Sequence, residues 1–349
     1  MFNQFIINYS KCLHDALLQI NNLAKEKMPL VLFVCNDKNV LIGTLTDGDS
    51  RRALINGASA SDGITSIMNK NFNFIYKEEI KNIELVKQFR NKKLKLIPII
   101  DSEKRIVDVL DFTTHKSRLP MDAVLMAGGK GERLRPLTLR TPKPLLKIGG
   151  KPIIDYNVDN LIDFGVKNIY VTVNYLKEQI IDHYNKKEGK EAVITCIEEE
   201  KFLGTIGSLS LIKEFRNDTI LIMNSDLLTN INFEDFYGHF KKHKAMMAAA
   251  AIPYAVSVPY GIFDLEGREI KGVKEKPTFD YYANAGIYLI SKEALKYIPK
   301  GKEFNATDLI ETLIEDKQKV IRFPLTGMWI DIGTPQEYQR ANDFVKYLN

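Results

Sequence analysis

The residues best suited to chemistry fall in one stretch, Ala123 to Lys147, AVLMAGGKGERLRPLTLRTPKPLLK. A short apolar run, Val124-Leu125-Met126, breaks into Ala127-Gly128-Gly129-Lys130-Gly131. Glycines directly after a strand let backbone N–H groups approach a phosphate with no Cβ in the way. Arg133, Arg135 and Lys143 follow, and supply the positive charge that a polyphosphate needs. Two familiar phosphate loops are excluded. Walker A needs Ser or Thr after Gly-Lys, where this chain has Gly131, and the fingerprint G-x-G-x-x-G fails at Leu134. Taken alone, the cluster reads equally as a glycine-rich turn beside a solvated basic face.

Two isolated acids change that balance. Asp226 follows an apolar run in MNSDLL, and Asp331 lies in MWIDIGTPQEY beside the only tryptophan. Mg²⁺ takes one or two carboxylates together with phosphate oxygens, so an acid at a strand end facing a polyphosphate loop is a candidate ligand. Each acid by itself reads as a cap or as loop punctuation; the pairing with the glycine loop favours the metal. His239 and His243 are four apart but lack an HExxH frame, and are expected on the surface.

The elements that must position these groups alternate. A strand at 122–126 precedes the glycine loop, and helix Ile153 to Phe164 leads to strand Asn168 to Val173. Helix Lys177 to Tyr184 leads to strand Ala192 to Ile197, and helix Gly207 to Phe215 to strand Thr219 to Met223. That order predicts an α/β domain over 119–349 with a doubly wound, mostly parallel sheet. Ligands of such sheets sit beyond the carboxyl ends of the strands. The glycine loop, Glu198-Glu199-Glu200 through Gly204, and Asn224-Ser225-Asp226 all fall there.

Residues 1–118 read differently, as an α+β segment built from a repeat of about 60 residues, with halves at 1–59 and 60–118. An amphipathic helix, Lys11 to Lys25, carries Leu13, Leu17, Ile20 and Leu23 at helical spacing. Strands Leu30 to Val34 and Val40 to Leu45 follow, then Thr46-Asp47-Gly48-Asp49 and a helix from Ser50 to Asn56. Helix Ile80 to Asn91 and strands Lys95 to Ile100 and Arg105 to Leu110 repeat the order. LIGTLTDGDSRRALINGA resembles the end of a cystathionine-β-synthase-type (CBS) motif. The resemblance implies a CBS pair with an adenine-nucleotide site, whose Thr-x-x-Asp falls on Thr46 and Asp49. A helix start does favour an anion. Equally, Asp49 caps its helix and the pair is a dimerisation platform.

Composition bounds the partners. The chain has 349 residues, 45% hydrophobic and 27% charged, with no apolar run near the ~20 residues of a membrane span. The first residues lack the basic and apolar regions of a signal peptide, and three scattered cysteines suggest neither disulfides nor a zinc site. A cytoplasmic, homo-oligomeric protein without membrane or nucleic-acid partners is expected. The net charge of +5 arises from residues 1–118, with 18 Lys+Arg against 13 Asp+Glu, while 119–349 is balanced at 31 each. The basic residues are scattered without interleaved aromatics, unlike a nucleic-acid surface.

LMAGGKGERLRPLT, PKPLL, FLGTIGSL, NSDLL, PYGIFD, VKEKP, NAGIYLI and WIDIGTPQEY together resemble, in order, the sugar nucleotidyltransferase family. The resemblance implies the reaction sugar-1-phosphate + NTP → NDP-sugar + pyrophosphate, with Mg²⁺. It implies that Ala127, Gly128, Gly129 and Gly131 line the triphosphate, with Gly204 and Thr205 beside the nucleotide and Arg133 on the departing pyrophosphate. Lys143 would meet the α-phosphate, and Asp226 and Asp331 the metal. Gly261, Glu275, Asn284 and Gly286 would form the sugar site, with Lys276 on the sugar phosphate. A carboxylate matches the two adjacent donors of guanine, so Glu199 points to GTP. The whole chain is similar to CBS-containing glucosamine-1-phosphate guanylyltransferases of the bacterial legionaminic acid pathway, which implies GDP-glucosamine. Mannose- or heptose-1-phosphate, a uridylyl or cytidylyl donor, or an inert nucleotide-sensing subunit are the alternatives. No hexapeptide repeat follows, so no fused acyltransferase is expected.

Overall fold

In the computed structural model, which describes residues 2–186 and 191–346, the chain divides into two units. The first runs to Leu119 and includes Asp163–Gly165; the second takes the remaining described residues. The first unit holds β1 (Ile6–Asn8), α1 (Leu13–Lys25), β2 (Val31–Cys35), β3 (Leu41–Thr46), α2 (Asp47–Ile55), β4 (Ile75–Tyr76), α3 (Ile83–Asn91), β5 (Leu96–Ile100) and β6 (Ile106–Asp111). Two three-stranded sheets result, ordered β1-β2-β3 and β4-β5-β6. In each, the first pair is parallel and the second antiparallel. α1 buries Leu13, Ala16, Ile20 and Leu23, so Ala16 rather than Leu17 completes its apolar stripe.

α2 starts three residues earlier than its sequence suggests, and the reason is local. Asp49 N–H donates to Thr46 Oγ1 at 3.1 Å, while the Asp49 carboxylate accepts from Thr46 N–H at 2.8 Å and from its hydroxyl at 2.6 Å. This reciprocal capping satisfies donors that a helix start otherwise leaves open. Thr46 and Asp49 are thus engaged with each other.

The second unit begins with β7 (Asp122–Met126), β8 (Lys147–Ile148) and β9 (Lys151–Pro152), then α4 (Ile153–Asp163), β10 (Asn168–Val173), α5 (Lys177–Asn185) and β11 (Val193–Glu198). After these come β12 (Thr219–Asn224), β13 (Leu227–Thr229), α6 (Phe233–His243), β14 (Met247–Ser257), β15 (Ile262–Glu266), β16 (Glu269–Lys274) and β17 (Thr278–Ser291). The unit ends with α7 (Ala306–Glu315), β18 (Val320–Pro324), β19 (Trp329–Asp331) and α8 (Pro335–Lys346). The central sheet is ordered β11-β10-β7-β12-β17-β14-β18, with β7 flanked by β10 and β12 in parallel.

The sheet is mostly parallel, with one reversal. β17 pairs antiparallel with both β12 and β14, because β14 returns through the β15–β16 hairpin. An antiparallel return needs no crossover helix. The helix expected from Gly207 to Phe215 is only a 3-10 turn, Gly207–Leu211. Ile206, Leu209, Ile212 and Phe215 are all buried, and their spacing of three fits the three-residue period of that turn better than an α-helix. His243 is exposed as expected, and His239 lies half-buried at the surface, set against Phe323 and within 3.1 Å of the Arg322 carbonyl.

The entry into β7 is fixed by a buried acid. Asp122 is fully buried and accepts from Arg216 N–H (2.6 Å), Asn217 N–H (3.0 Å), Asn217 Nδ2 (2.7 Å) and Asn168 Nδ2 (2.9 Å). One carboxylate thereby ties β7, β10 and the approach to β12. Removing it strands several donors, the costly kind of loss. Asp122→Ala is expected to destabilise the chain by about 2–4 kcal/mol, measured by urea unfolding. A loss under about 0.5 kcal/mol, the size of an ordinary surface change, would contradict this role.

Candidate active site

β7 ends at the glycine loop, and two of the loop's glycines, Gly131 and Gly128, are demanded by their surroundings. Gly131 has φ +61°, and an added Cβ would stand 2.9 Å from Thr138 Cγ2 and 3.1 Å from Lys143 Cβ. Thr138 Oγ1 in turn donates to the Gly131 carbonyl at 2.8 Å. At Gly128 a Cβ would meet Glu199 Oε1 at 3.1 Å, whereas Gly129 faces open space.

Two acids distant in sequence meet beside this loop. β13 pairs antiparallel with β19, setting Leu227 opposite Asp331. Ile332 N–H donates to the Asp226 carbonyl at 3.3 Å. Lys143 Nζ bonds to Asp226 Oδ2 and lies 3.4 Å from Asp331 Oδ1. Burial and the charge of Asp226 push the Asp331 carboxyl above its ordinary range, with Lys143 and Arg133 pulling the other way. The guanidinium of Arg133 lies over Gly333, where a Cβ would stand 2.9 Å from Nη2.

The strand-end turn that carries Asp226 is held from beneath. Buried Asn157, on α4, donates through Nδ2 to the carbonyls of Ser225 (3.2 Å) and Leu227 (2.9 Å). Ser225 Oγ donates to the Met126 carbonyl at 2.7 Å, linking that turn to the end of β7. Sequence reasoning missed Asn157. A lone asparagine in an amphipathic helix gives no local signal.

A cavity of about 430 Å³ opens over these strand ends. Ala127, Gly128, Gly129, Gly131, Arg133, Lys143, Glu199, Gly204, Thr205 and Asp226 all line it, and Asp331 adjoins it through Lys143. Gly204 and Thr205 also have structural duties. Thr205 Oγ1 accepts from Ala306 N–H at 2.9 Å and Thr205 N–H donates to Asn305 Oδ1 at 3.1 Å, which anchors the start of α7. Gly261, Glu275 and Lys276 lie outside the cavity, on an exposed extension. Asn284 and Gly286 bridge the two regions: Gly286 N–H donates to Asn284 Oδ1 at 3.0 Å. A Cβ on Gly286, at φ +71°, would fall 2.5 Å from Asn224 Nδ2, and Asn224 is a cavity residue.

The three consecutive glutamates divide their roles. Glu198 pairs with Lys177 at 2.7 Å and Glu200 is exposed. Glu199 is buried, accepts from Leu203 N–H at 3.2 Å, and has its own carbonyl bound by Asn174 Nδ2 at 2.9 Å. Burial pushes its carboxyl above the ordinary 4.5, only partly offset by the Leu203 N–H. An acid whose native pKa is raised binds more protons folded than unfolded, so stability falls as pH rises from the unfolded value through the native one. Glu199→Gln lacks that slope. Its melting midpoint is expected to gain on the wild type as pH rises above the ordinary 4.5; parallel pH profiles would show that Glu199 carries no such cost.

The pairing of Asp226, in the turn between β12 and β13, with Asp331, at the end of β19, across from a glycine loop with Arg and Lys, suits a ligand that brings both phosphate and a divalent cation. The chain is 36% identical over 235 residues to the bifunctional protein GlmU of Methanocaldococcus jannaschii, covering 65% of this chain and 54% of that protein. It is 30% identical over 240 residues to a mannose-1-phosphate guanyltransferase of Saccharomyces cerevisiae, covering 66% and 65%. The chain therefore spans between half and two thirds of the length of these relatives. Among solved structures, HddC from Yersinia pseudotuberculosis is similar at 25% identity and a TM-score of 0.50, covering 64% of this chain and 99% of that one. HddC complexed with GMP-PN gives 24% identity and a TM-score of 0.51 over 64% of this chain and 99% of that one. The profile of the nucleotidyl transferase family matches residues 122–347, which is the second unit with its cavity, and the chain belongs to that family.

Proposed function

We propose that the second unit transfers a nucleotidyl group from an NTP to a sugar-1-phosphate, forming an NDP-sugar and pyrophosphate. The observation that carries this reading is the Lys143–Asp226–Asp331 cluster facing the glycine loop across one cavity. An oxygen of the sugar phosphate attacks the α-phosphorus; the bond from α-phosphorus to its bridging oxygen breaks, and pyrophosphate leaves with that oxygen. The nucleophile is already ionised, so no general base is needed. Charge stabilisation is the main requirement.

This chain's own groups supply it. The N–H groups of the 127–131 loop cradle the β- and γ-phosphates, and Arg133 stabilises the charge that builds on pyrophosphate. Lys143 neutralises the facing acids in the ligand-free chain and meets the α-phosphate when the donor is bound. Asp226 and Asp331 would hold Mg²⁺, which the donor set fits: two carboxylates, with phosphate oxygens completing the shell. Bound there, the ion would supply Lewis-acid polarisation of the phosphates. Asp226→Asn is expected to lower turnover at least about a hundredfold with little change in melting. Arg133→Ala is expected to cost a similar factor in turnover while changing sugar-phosphate affinity less than about threefold. Near-normal turnover in either variant removes its assignment.

Guanine is the favoured base. Glu199 offers a carboxylate at the cavity wall, and the yeast relative is named a guanyltransferase. The sugar reading is GDP-glucosamine from glucosamine-1-phosphate, in a legionaminic acid type of surface-glycan synthesis. Mannose-1-phosphate is the second reading, since the yeast relative's name carries it. Gly261, Glu275, Lys276, Asn284 and Gly286 form the sugar side. Pyrophosphate release across four NTPs and these two sugar phosphates decides among them; silence throughout would leave a nucleotide sensor without turnover.

Residues 1–118 act as a CBS pair that regulates the second unit, with Thr46 and Asp49 on the ligand. AMP at millimolar concentration is expected to raise the melting midpoint of the full chain. No shift would leave capping and dimerisation as the role of that segment.

A further inference from the structure

The lining of the cavity over the strand ends is mostly small or polar. Phe202 is the one aromatic side chain among the described residues that form it. It is 53% exposed, and among the described residues no other ring and no cation is packed on it. A single phenylalanine on an open surface needs no explanation. A bare ring on the wall of a concave, charged site is different, because it leaves apolar area in water that an entering ligand would cover.

The backbone on both sides of this ring is pinned. Before it, Glu199 N–H donates to the Val173 carbonyl at 2.9 Å. After it, buried Leu203 donates its N–H to Glu199 Oε2 at 3.2 Å and accepts at its carbonyl from Phe304 N–H at 3.0 Å. Gly204 follows at φ +75°, where an added Cβ would stand 2.7 Å from the Phe304 carbonyl oxygen. The same Glu199 carboxylate sets the loop beside the glycine cradle, since its Oε1 lies 3.1 Å from where a Cβ on Gly128 would be. The ring is therefore presented on a fixed loop, one carboxylate away from the start of the phosphate loop.

A flat group with an apolar face that travels with a polyphosphate is a nucleobase. Aromatic side chains hold bases by their faces, whichever base it is, because every base has a π-face. We infer that Phe202 is the platform on which the base of the NTP stacks. This rests on the nucleotidyl-transfer reading of the cavity and adds to it the side chain that holds the base. The ring and Glu199 then divide the work. The ring takes the face and supplies affinity common to all bases, which leaves choice between bases to groups that meet the base edge.

The test is calorimetric titration of the full chain, and of its Phe202→Ala and Phe202→Tyr variants, with GTP and with tripolyphosphate. Both titrations contain Mg²⁺ and no sugar phosphate. Phe202→Ala is expected to weaken GTP at least about tenfold, as loss of one base–aromatic stack does, and tripolyphosphate less than about twofold. Phe202→Tyr keeps the ring and should stay within about threefold of the wild type for both ligands. A second readout needs no variant: the guanine H8 proton should shift upfield on binding to the wild type, as a proton over an aromatic face does. Unchanged GTP affinity in Phe202→Ala, an equal loss for GTP and tripolyphosphate, or no upfield shift on the wild type overturns the stacking. A wild type that binds GTP with the shift but releases no pyrophosphate with any sugar phosphate removes the proposed reaction and upholds the stacking. A wild type that binds no GTP overturns both.

Discussion

Two carboxylates, Asp226 and Asp331, are held close enough to repel one another, and Lys143 stands between them. Much of the second unit is arranged to maintain that contact. Like charges at short range raise the energy of the ionised pair, so the geometry persists only where the backbone dictates it. The β13–β19 register, the Asn157 clamp on the carbonyls flanking Asp226, and the Ser225 tie to β7 all dictate backbone positions. The side chains then have little freedom to relax. Under the reaction proposed above, a site held by backbone constraint would be preorganised for an incoming polyanion, which is where electrostatic catalysis draws most of its power.

What was legible in the sequence follows from how local each signal is. The glycine loop and its basic residues lie within 25 positions, and the cavity lining includes the three glycines, Arg133 and Lys143 but not Lys130 or Arg135. Strand β10 matched its apolar pattern residue for residue. The approach of Asp331 to Asp226 had no local mark, since it depends on a strand pairing across the whole unit; only the joint resemblance of several motifs suggested it. Asn157, Asn174 and Asp122 were silent for the same reason. Each is one polar residue whose partners lie far along the chain. The failed helix at 207–215 shows the converse, an apolar spacing that two helical periods share over a short run.

Glycine served two unrelated purposes within one set of motifs. Gly129, where an added Cβ would meet nothing within 4 Å, keeps space beside the cavity. Gly207 lies against the backbone of Lys302, where an added Cβ would come within 2.6 Å of its carbonyl oxygen. Both kinds look identical as letters. Only the packed structure separates a glycine that leaves room for a ligand from one that leaves room for the chain itself.

The β13–β19 pair has a further consequence for how the protein comes to exist. Its second strand arrives 198 residues after the glycine loop, Trp329 against Gly131. During synthesis the loop, Lys143 and Asp226 emerge long before the segment that completes their charge balance. Long-range pairings of this kind close late in folding. A nascent chain would thus present the glycine loop, Lys143 and Asp226 without the second acid, Asp331, until the last strand of the unit has docked.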